Sequence, residues 1–303
     1  MPRWLLYSIL AALSWGVWGV VSKVASDKLP PFQNQVLSTL GLLAPAALAA
    51  VVWSLRRRAS LVGARNGWWL AFLSGLTGAL GNLALLASLS GGGQATVVFP
   101  LTAVYPLLTV LAAWWWLGED LRWVQALGVA LALAAIVLFN VADTGALAWR
   151  DLGWSRWMPM ALLATCLYGA TGLLQKLATN RVSAEVSFVA FAVAFIPIAV
   201  VIVSMLRLEW SVSMRQSYYW ATLGGALNGL GVLATLAAYR QGGKASVVTP
   251  LAALYPVVTV LLAVRFLGER VGLQQMLAIV LAVTAGVALS WERSTETTTP
   301  KQR

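Results

Sequence analysis

Histidine is absent from the 303 residues, cysteine occurs once, and charged residues make up only 10% of the chain. Without histidine or paired cysteines the usual nitrogen and sulfur zinc sites have no ligands, and the single Cys166 allows no disulfide framework. So few charges exclude a soluble domain, which carries about 25% charged residues because its surface faces water. All ten Asp and Glu fall at the ends of long apolar runs or between them. Proton-coupled cation export needs an ionisable group within the membrane, so multidrug cation antiport and obligatory coupling through a buried carboxylate are disfavoured. No ten-residue segments alternate apolar with polar, which excludes a transmembrane β-barrel.

What the chain has is hydrophobic residues, 60% of the total, with 16 Trp and 26 Gly. Charges cluster between apolar runs of about 20 residues, the length that crosses the hydrocarbon core as a helix. Ten spans are predicted, near 4–25, 33–54, 67–88, 94–117, 121–141, 157–179, 184–206, 217–238, 244–267 and 271–291. The protein is thus expected to be an all-α polytopic membrane protein in contact with the lipid bilayer. The first run is read as an uncleaved helix, because Lys23 and Asp27 stand where a signal peptide would be cut. The net charge of +11 could suit nucleic acid, but the basic residues lie at span ends, which the positive-inside rule explains without a nucleic-acid partner. With the N-terminus in the cytoplasm, thirteen of the 21 basic residues face inward, four of them Arg56, Arg57, Arg58 and Arg65 in one loop. Both termini are expected to be cytoplasmic, in a plasma membrane of bacterial type.

The strongest signal is internal. GGQATVVFPLTAVYPLLTVLAAWWWLGE (92–119) aligns without a gap to GGKASVVTPLAALYPVVTVLLAVRFLGE (242–269), and SWGVWGVVSKVAS (14–26) to LYGATGLLQKLAT (167–179). Pro45 likewise corresponds to Pro197. The chain reads as a five-helix repeat over 1–145, a second over 146–293, and a disordered cytoplasmic tail over 294–303. Five is odd, so the second repeat enters the membrane in the opposite sense. Inverted repeats are a recurrent plan of secondary transporters, whose substrate site lies between the repeats near the midplane.

These segments, W/Y-G-x-x-G followed by Lys in the first helix of each half and P-L-x-x-x-Y-P with L-G-E in the fourth, resemble the EamA-type members of the drug/metabolite transporter superfamily. The resemblance covers nearly the whole chain. It implies a ten-helix permease with a central cavity bounded by both repeats, moving small metabolites, often outward.

Candidate site residues follow from chemistry. Lys23 and Lys176 are expected near opposite mouths, where they either attract an anionic group of the substrate or snorkel to the interface. Trp15, Trp18 and Tyr168 lie one to two turns deeper and either line a cavity or fill a groove beside Gly19 and Gly172. Pro100 with Pro106, and Pro250 with Pro256, remove backbone hydrogen bonds in the fourth and ninth helices, marking them as mobile or as statically kinked. Tyr105 and Tyr255 precede the second proline of each pair. Asn82 and Asn228 are buried amides that need partners. Gly225 with Gly229, and Gly75 with Ala79, are small-residue pairs that allow close helix approach. Glu119 and Glu269 are expected in loops, at helix ends or in ion pairs.

The expected function is a carrier of a small polar metabolite, an amino acid or other carboxylate-bearing solute favoured, acting as exporter or facilitator by alternating access. The alternative is a lipid-linked sugar or headgroup flippase. No catalytic residue, metal or cofactor is expected, since without histidine or intramembrane acids the means of general acid–base or metal catalysis are few. A monomer or homodimer would suffice.

Overall fold

A computed structural model describes residues 2–56, 64–105, 123–144, 155–179, 181–241, 252 and 254–289. Those residues form helices and turns: α1 (Arg3–Ser26), α2 (Pro31–Arg56), α3 (Ala64–Ser90), α4 (Ala95–Thr102), α5 (Trp123–Thr144), α6 (Met158–Thr179), α7 (Ala184–Val193), α8 (Phe195–Met205), α9 (Arg215–Arg240), α10 (Tyr255–Leu262) and α11 (Leu273–Leu289). Six stretches are by themselves long and apolar enough to cross a membrane: Arg3–Ser26, Pro31–Ser54, Asn66–Ser90, Met158–Gln175, Ala184–Met205 and Val212–Ala238. Their bounds agree with the predicted spans to within a turn or so, because a change from apolar to charged residues is written directly in the sequence.

The solvent pattern is that of a protein built for lipid. Large apolar side chains point outward along one face of α1 (Leu6, Leu10, Leu13, Val17) and of α11 (Leu273, Met276, Leu277, Val280), at spacings of three and four. Polar side chains point inward: Ser8, Ser22 and Ser26 on α1, Gln33, Asn34, Gln35, Ser38 and Thr39 on α2, Ser74, Asn82 and Ser88 on α3. Many inward hydroxyls return to their own helix, as in Ser8 to the Trp4 carbonyl (2.9 Å), Thr39 to Gln35 (2.9 Å) and Thr165 to Ala161 (2.8 Å). Such bonds satisfy donors where no water is at hand.

The seventh span is one apolar stretch in sequence and two helices in structure. α7 ends at Val193, four residues before Pro197, whose ring meets that carbonyl and whose nitrogen has no hydrogen to offer it. Pro45, its sequence counterpart, lies inside an unbroken α2. Pro256 differs from the expectation of a proline within a helix. It occupies the first turn of α10, where the missing N–H would have had no helical partner. α10 continues through a π-helical turn, Ala263–Leu267, and stops at Gly268 in the left-handed conformation (φ 67°).

Glycines bring the helices together. Gly16 and Gly19 on α1 seat Val258 and Thr259 of α10, and the Thr259 hydroxyl donates to the Gly16 carbonyl at 3.1 Å. Gly225 on α9 faces the Ser38 carbonyl, while Gly75 on α3 faces the Phe191 carbonyl. Packing contacts occur in pairs related by the sequence repeat. α1 packs on α9 as α6 packs on α3, and α2 on α9 as α7 on α3. Two further pairs, α5 with α11 and α2 with α7, join an element to its own counterpart, and α4 of the fourth span packs on α10 of the ninth.

Candidate functional site

The Trp-Gly segment of α1 lies against the ninth-span segment, and this brings aromatics of both halves together. Trp15 meets Tyr255 edge to face (centroids 5.9 Å apart, 67°), and its indole N–H donates to the Asn228 carbonyl of α9 at 3.3 Å. The indole needs the bare face of Gly231 beside it. Trp18, 6% exposed, stands edge to face on Phe99 of α4 (5.3 Å, 79°). Both tryptophans therefore pack in the core, with a polar N–H anchored in the case of Trp15.

Two phenols join them. Tyr168 and Tyr255 pack in the same apolar cluster as Trp15, Trp18 and Phe99, and Tyr255 is buried. Tyr168 lays its ring over Gly81 of α3, where any Cβ would be 2.9 Å from the ring edge. Its hydroxyl is buried and, among the described residues, has no hydrogen-bond partner. α1, α4, α6 and α10 thus build one aromatic and hydroxyl cluster from elements of both halves. Its groups are neutral, amphipathic and preorganised, which suits contact with a polar solute through π-faces and hydroxyls.

Of the two lysines, Lys23 is described in full. Its ammonium donates to the Asp27 carboxylate at 2.7 Å and reaches the Leu89 carbonyl at 3.5 Å. Lys23 is mostly covered (13% exposed) and Asp27 half open (50%). Its charge is therefore balanced one helical turn away instead of standing bare at the mouth. Lys176 is on α6, and its side chain lies outside the described residues, as do Pro106, Pro250 and Glu119. Pro100 is fully buried inside α4, which ends two residues later in a turn closed by bonds from Val104 to Leu101 and from Tyr105 to Thr102.

Glu269, expected as a loop charge, caps a helix in the other half. Its two carboxylate oxygens accept from the backbone N–H groups of Ala95 and Thr96, each at 2.9 Å. A carboxylate is well matched there, since the first N–H groups of a helix lack partners and carry partial positive charge. Glu269→Ala is expected to cost about 1 to 2 kcal/mol, read as a fall in the melting temperature of the purified protein. An unchanged melting temperature would contradict the cap.

The two asparagines serve different places. Asn228 offers its backbone carbonyl to Trp15, whereas Asn82 donates its side-chain N–H to the Gln35 side-chain oxygen at 2.7 Å. Gln35 belongs to a buried polar run on α2 that sequence reasoning passed over. Asn34 donates to Ser26 (3.0 Å), Ser38 donates to Asn34 (3.3 Å), and Gln33 donates to the Glu209 carbonyl (2.7 Å). The signal was present, because Gln-Asn-Gln at the head of an otherwise apolar span followed by Ser38 and Thr39 puts amides and hydroxyls at helical spacing.

Comparison with known proteins fits this architecture. The family model described as the EamA-like transporter family matches residues 2–141 and again residues 155–291. An uncharacterized protein of Methanocaldococcus jannaschii is 24% identical over 143 residues, which is 47% of this chain and 100% of that protein. A crystal structure of a protein whose description says nothing further superposes with a TM-score of 0.62 at 19% identity, covering 93% of this chain and 94% of that one. At that identity it speaks for the fold alone.

Proposed function

The chain belongs to the EamA-like transporter family, and on that premise we propose that it carries a small polar, net-neutral solute bearing a carboxylate, an amino acid in the first instance, by alternating access between two inverted five-helix repeats. An integral, multi-pass membrane transporter of the drug/metabolite superfamily is what family membership and the apolar helices support. The observation that carries the finer reading is the cluster of Trp15, Tyr255 and Tyr168, drawn from both halves and ending in a buried hydroxyl with no partner among the described residues.

Charge narrows the solute. The described parts of the core offer hydroxyls, amides and indoles, and Lys23 is balanced by Asp27. A site of that kind would have to desolvate a net charge without a bare counter-ion, which is costly in a low-dielectric interior. A zwitterion brings its own compensation.

The inverted repeat is supported by the double family match, by a relative of about half this length and by the paired packing contacts. Rocking of one repeat against the other would expose the cluster to each side in turn. The distribution of Lys and Arg supports cytoplasmic termini and a plasma-membrane location of bacterial type. Export or facilitation is proposed over uphill import, because the acids lie at span ends or between spans and none stands in the middle of a span to couple a proton.

The flippase reading has one observation in its favour. An apolar groove of about 410 Å3 lies between α2 and α8, lined by Val36, Leu40, Leu43, Ala199, Val200 and Val203, of which Leu40 and Val200 are exposed. A thermal-shift screen of amino acids, sugars, nucleotides, organic anions and phospholipid headgroups separates the two, since a ligand that prefers the folded state raises its stability. Shifts by amino acids support the proposed function. Shifts confined to lipid headgroups replace it with the flippase, and shifts confined to hydrophobic cations overturn both.

A further inference from the structure

The Gln35 and Asn82 side chains, 0% and 2% exposed, hold each other by a single hydrogen bond of 2.7 Å and leave two polar atoms without a partner among the described residues, the Gln35 Nε2 and the Asn82 Oδ1. Exchanging oxygen and nitrogen on both amides would preserve the bond and again leave one N–H donor and one C=O acceptor free, while exchanging one alone would set like atoms together. In either assignment the pair presents an unmet donor beside an unmet acceptor. Buried polar atoms are almost always paired, by protein, water or ligand, and two complementary orphans on one pair form a two-point recognition element.

Asn82 follows Gly81, the residue on which the Tyr168 ring rests, so the amide pair and the orphan phenol share one turn of α3. The stretch of α2 that carries Gln35 is braced, because Thr39 donates to the Gln35 backbone carbonyl at 2.9 Å and the neighbouring Asn34 is held by Ser26 and Ser38. The free atoms are thus held by a rigid surround, a condition for selective hydrogen bonding.

We propose that Gln35 and Asn82 form the subsite that selects the transported solute by a donor and an acceptor lying side by side, as the ammonium and carboxylate of an α-amino acid do, or the two ends of a carboxamide. This inference rests on the proposed transport of a small polar solute and gives that solute its chemical class. A simple carboxylate can only accept and would set its oxygen against the free C=O. A simple amine can only donate and would meet the free N–H. A site that hydrogen-bonds both functions rejects analogues lacking one, because the buried partner is then left unpaired.

The test uses the full-length purified protein and a panel in which each amino acid is compared with its deaminated acid, its decarboxylated amine and its primary carboxamide, by thermal shift. Wild-type protein should bind the zwitterion or the carboxamide at least about tenfold more tightly than the acid or the amine, in line with the rejection expected of hydrogen-bonding sites. Gln35→Met with Asn82→Leu removes all four polar atoms at similar volume. It should keep the ligand-free melting temperature, since a pair of polar partners replaced together by apolar groups leaves no orphan, and should lose the preference. Asn82→Asp, which can still accept from Gln35, should favour the amine over the zwitterion, and this keeps the test open should the double variant not fold. If both variants bind with wild-type preference, the pair serves structure or one buried water and the proposal is wrong, while loss of binding in Tyr168→Phe alone would leave the proposed function standing. If no member of the panel shifts wild-type protein, the amino-acid reading and the subsite fall together.

Discussion

Gly225→Ala is expected to lower the melting temperature sharply, whereas Gly224→Ala, the same change one residue earlier, is expected to be neutral or mildly stabilising. The Cβ of an alanine at 225 would overlap the Ser38 backbone carbonyl, and Gly41 of α2 makes the reciprocal approach to the Thr222 carbonyl of α9. Backbone cannot rotate aside as a side chain can. α2 and α9 would have to move apart, breaking the Ser38 hydroxyl bond to the Ala221 carbonyl (3.3 Å) and opening the contacts of Gly229 with Leu42 and Pro45. Overpacking that forces backbone shifts costs about 1 to 3 kcal/mol and occasionally more, and a clash with backbone on both helices belongs at the upper end. At 224 the nearest atoms are the Ser22 Oγ at 3.4 Å and Val21 Cγ1 at 3.6 Å, which is room enough. There the helix-propensity gain of alanine over glycine, about 1 kcal/mol, has no clash to oppose it. Size-exclusion profiles and melting temperatures of the two variants decide the matter. Equal stability of the two would mean that α2 and α9 do not touch as described.

Tyr168→Phe is the second large effect, and it moves stability and binding in opposite directions. The Tyr168 hydroxyl is buried without a hydrogen-bond partner among the described residues, a condition that costs about 1 to 3 kcal/mol relative to an apolar edge. Its removal should raise the ligand-free melting temperature. If the hydroxyl is there to meet a solute, ligand affinity should fall by about tenfold, the worth of one net hydrogen bond near the upper end of the usual range. A structural tyrosine would give the reverse, a lower melting temperature with affinity unchanged. Tyr255→Phe is the informative comparison, since Tyr255 carries the other phenol of the cluster and its hydroxyl is not among the unpartnered buried atoms, so its loss should weaken both.

The parts of the fold legible in the sequence were those written in runs and periods. Span bounds could be read because helix length and hydrocarbon thickness fix each other, and the glycine pairs at Gly75 and Gly225 marked close approach because only glycine permits it. The break at Ala194 needed geometry, since Pro45 and Pro197 are equivalent in sequence and only one of them interrupts its helix. Long-range partners were not legible at all. Nothing local tells that Glu269 caps a helix 173 residues away, that Trp15 donates to Asn228, or that Asn82 finds Gln35 on another helix. Lys23 is the opposite case: Asp27 stands four residues on, the spacing of an intrahelical ion pair, so its compensation was readable beside the two roles open to it. Part of the candidate site, Pro106, Pro250 and the Lys176 side chain, lies outside the described residues.

The central claim is that a site built from both halves carries a net-neutral solute across the bilayer. It is tested most directly by counterflow in liposomes holding the purified protein, preloaded with the amino acid that gives the largest thermal shift and supplied with a trace of the labelled compound outside. Saturable label accumulation that exceeds protein-free liposomes, persists without a pH gradient and falls by about tenfold in Tyr168→Phe is the result expected of this transporter. Uptake equal to that of protein-free liposomes, alongside protein-dependent exchange of labelled phospholipid between leaflets, would contradict it and leave the flippase in its place.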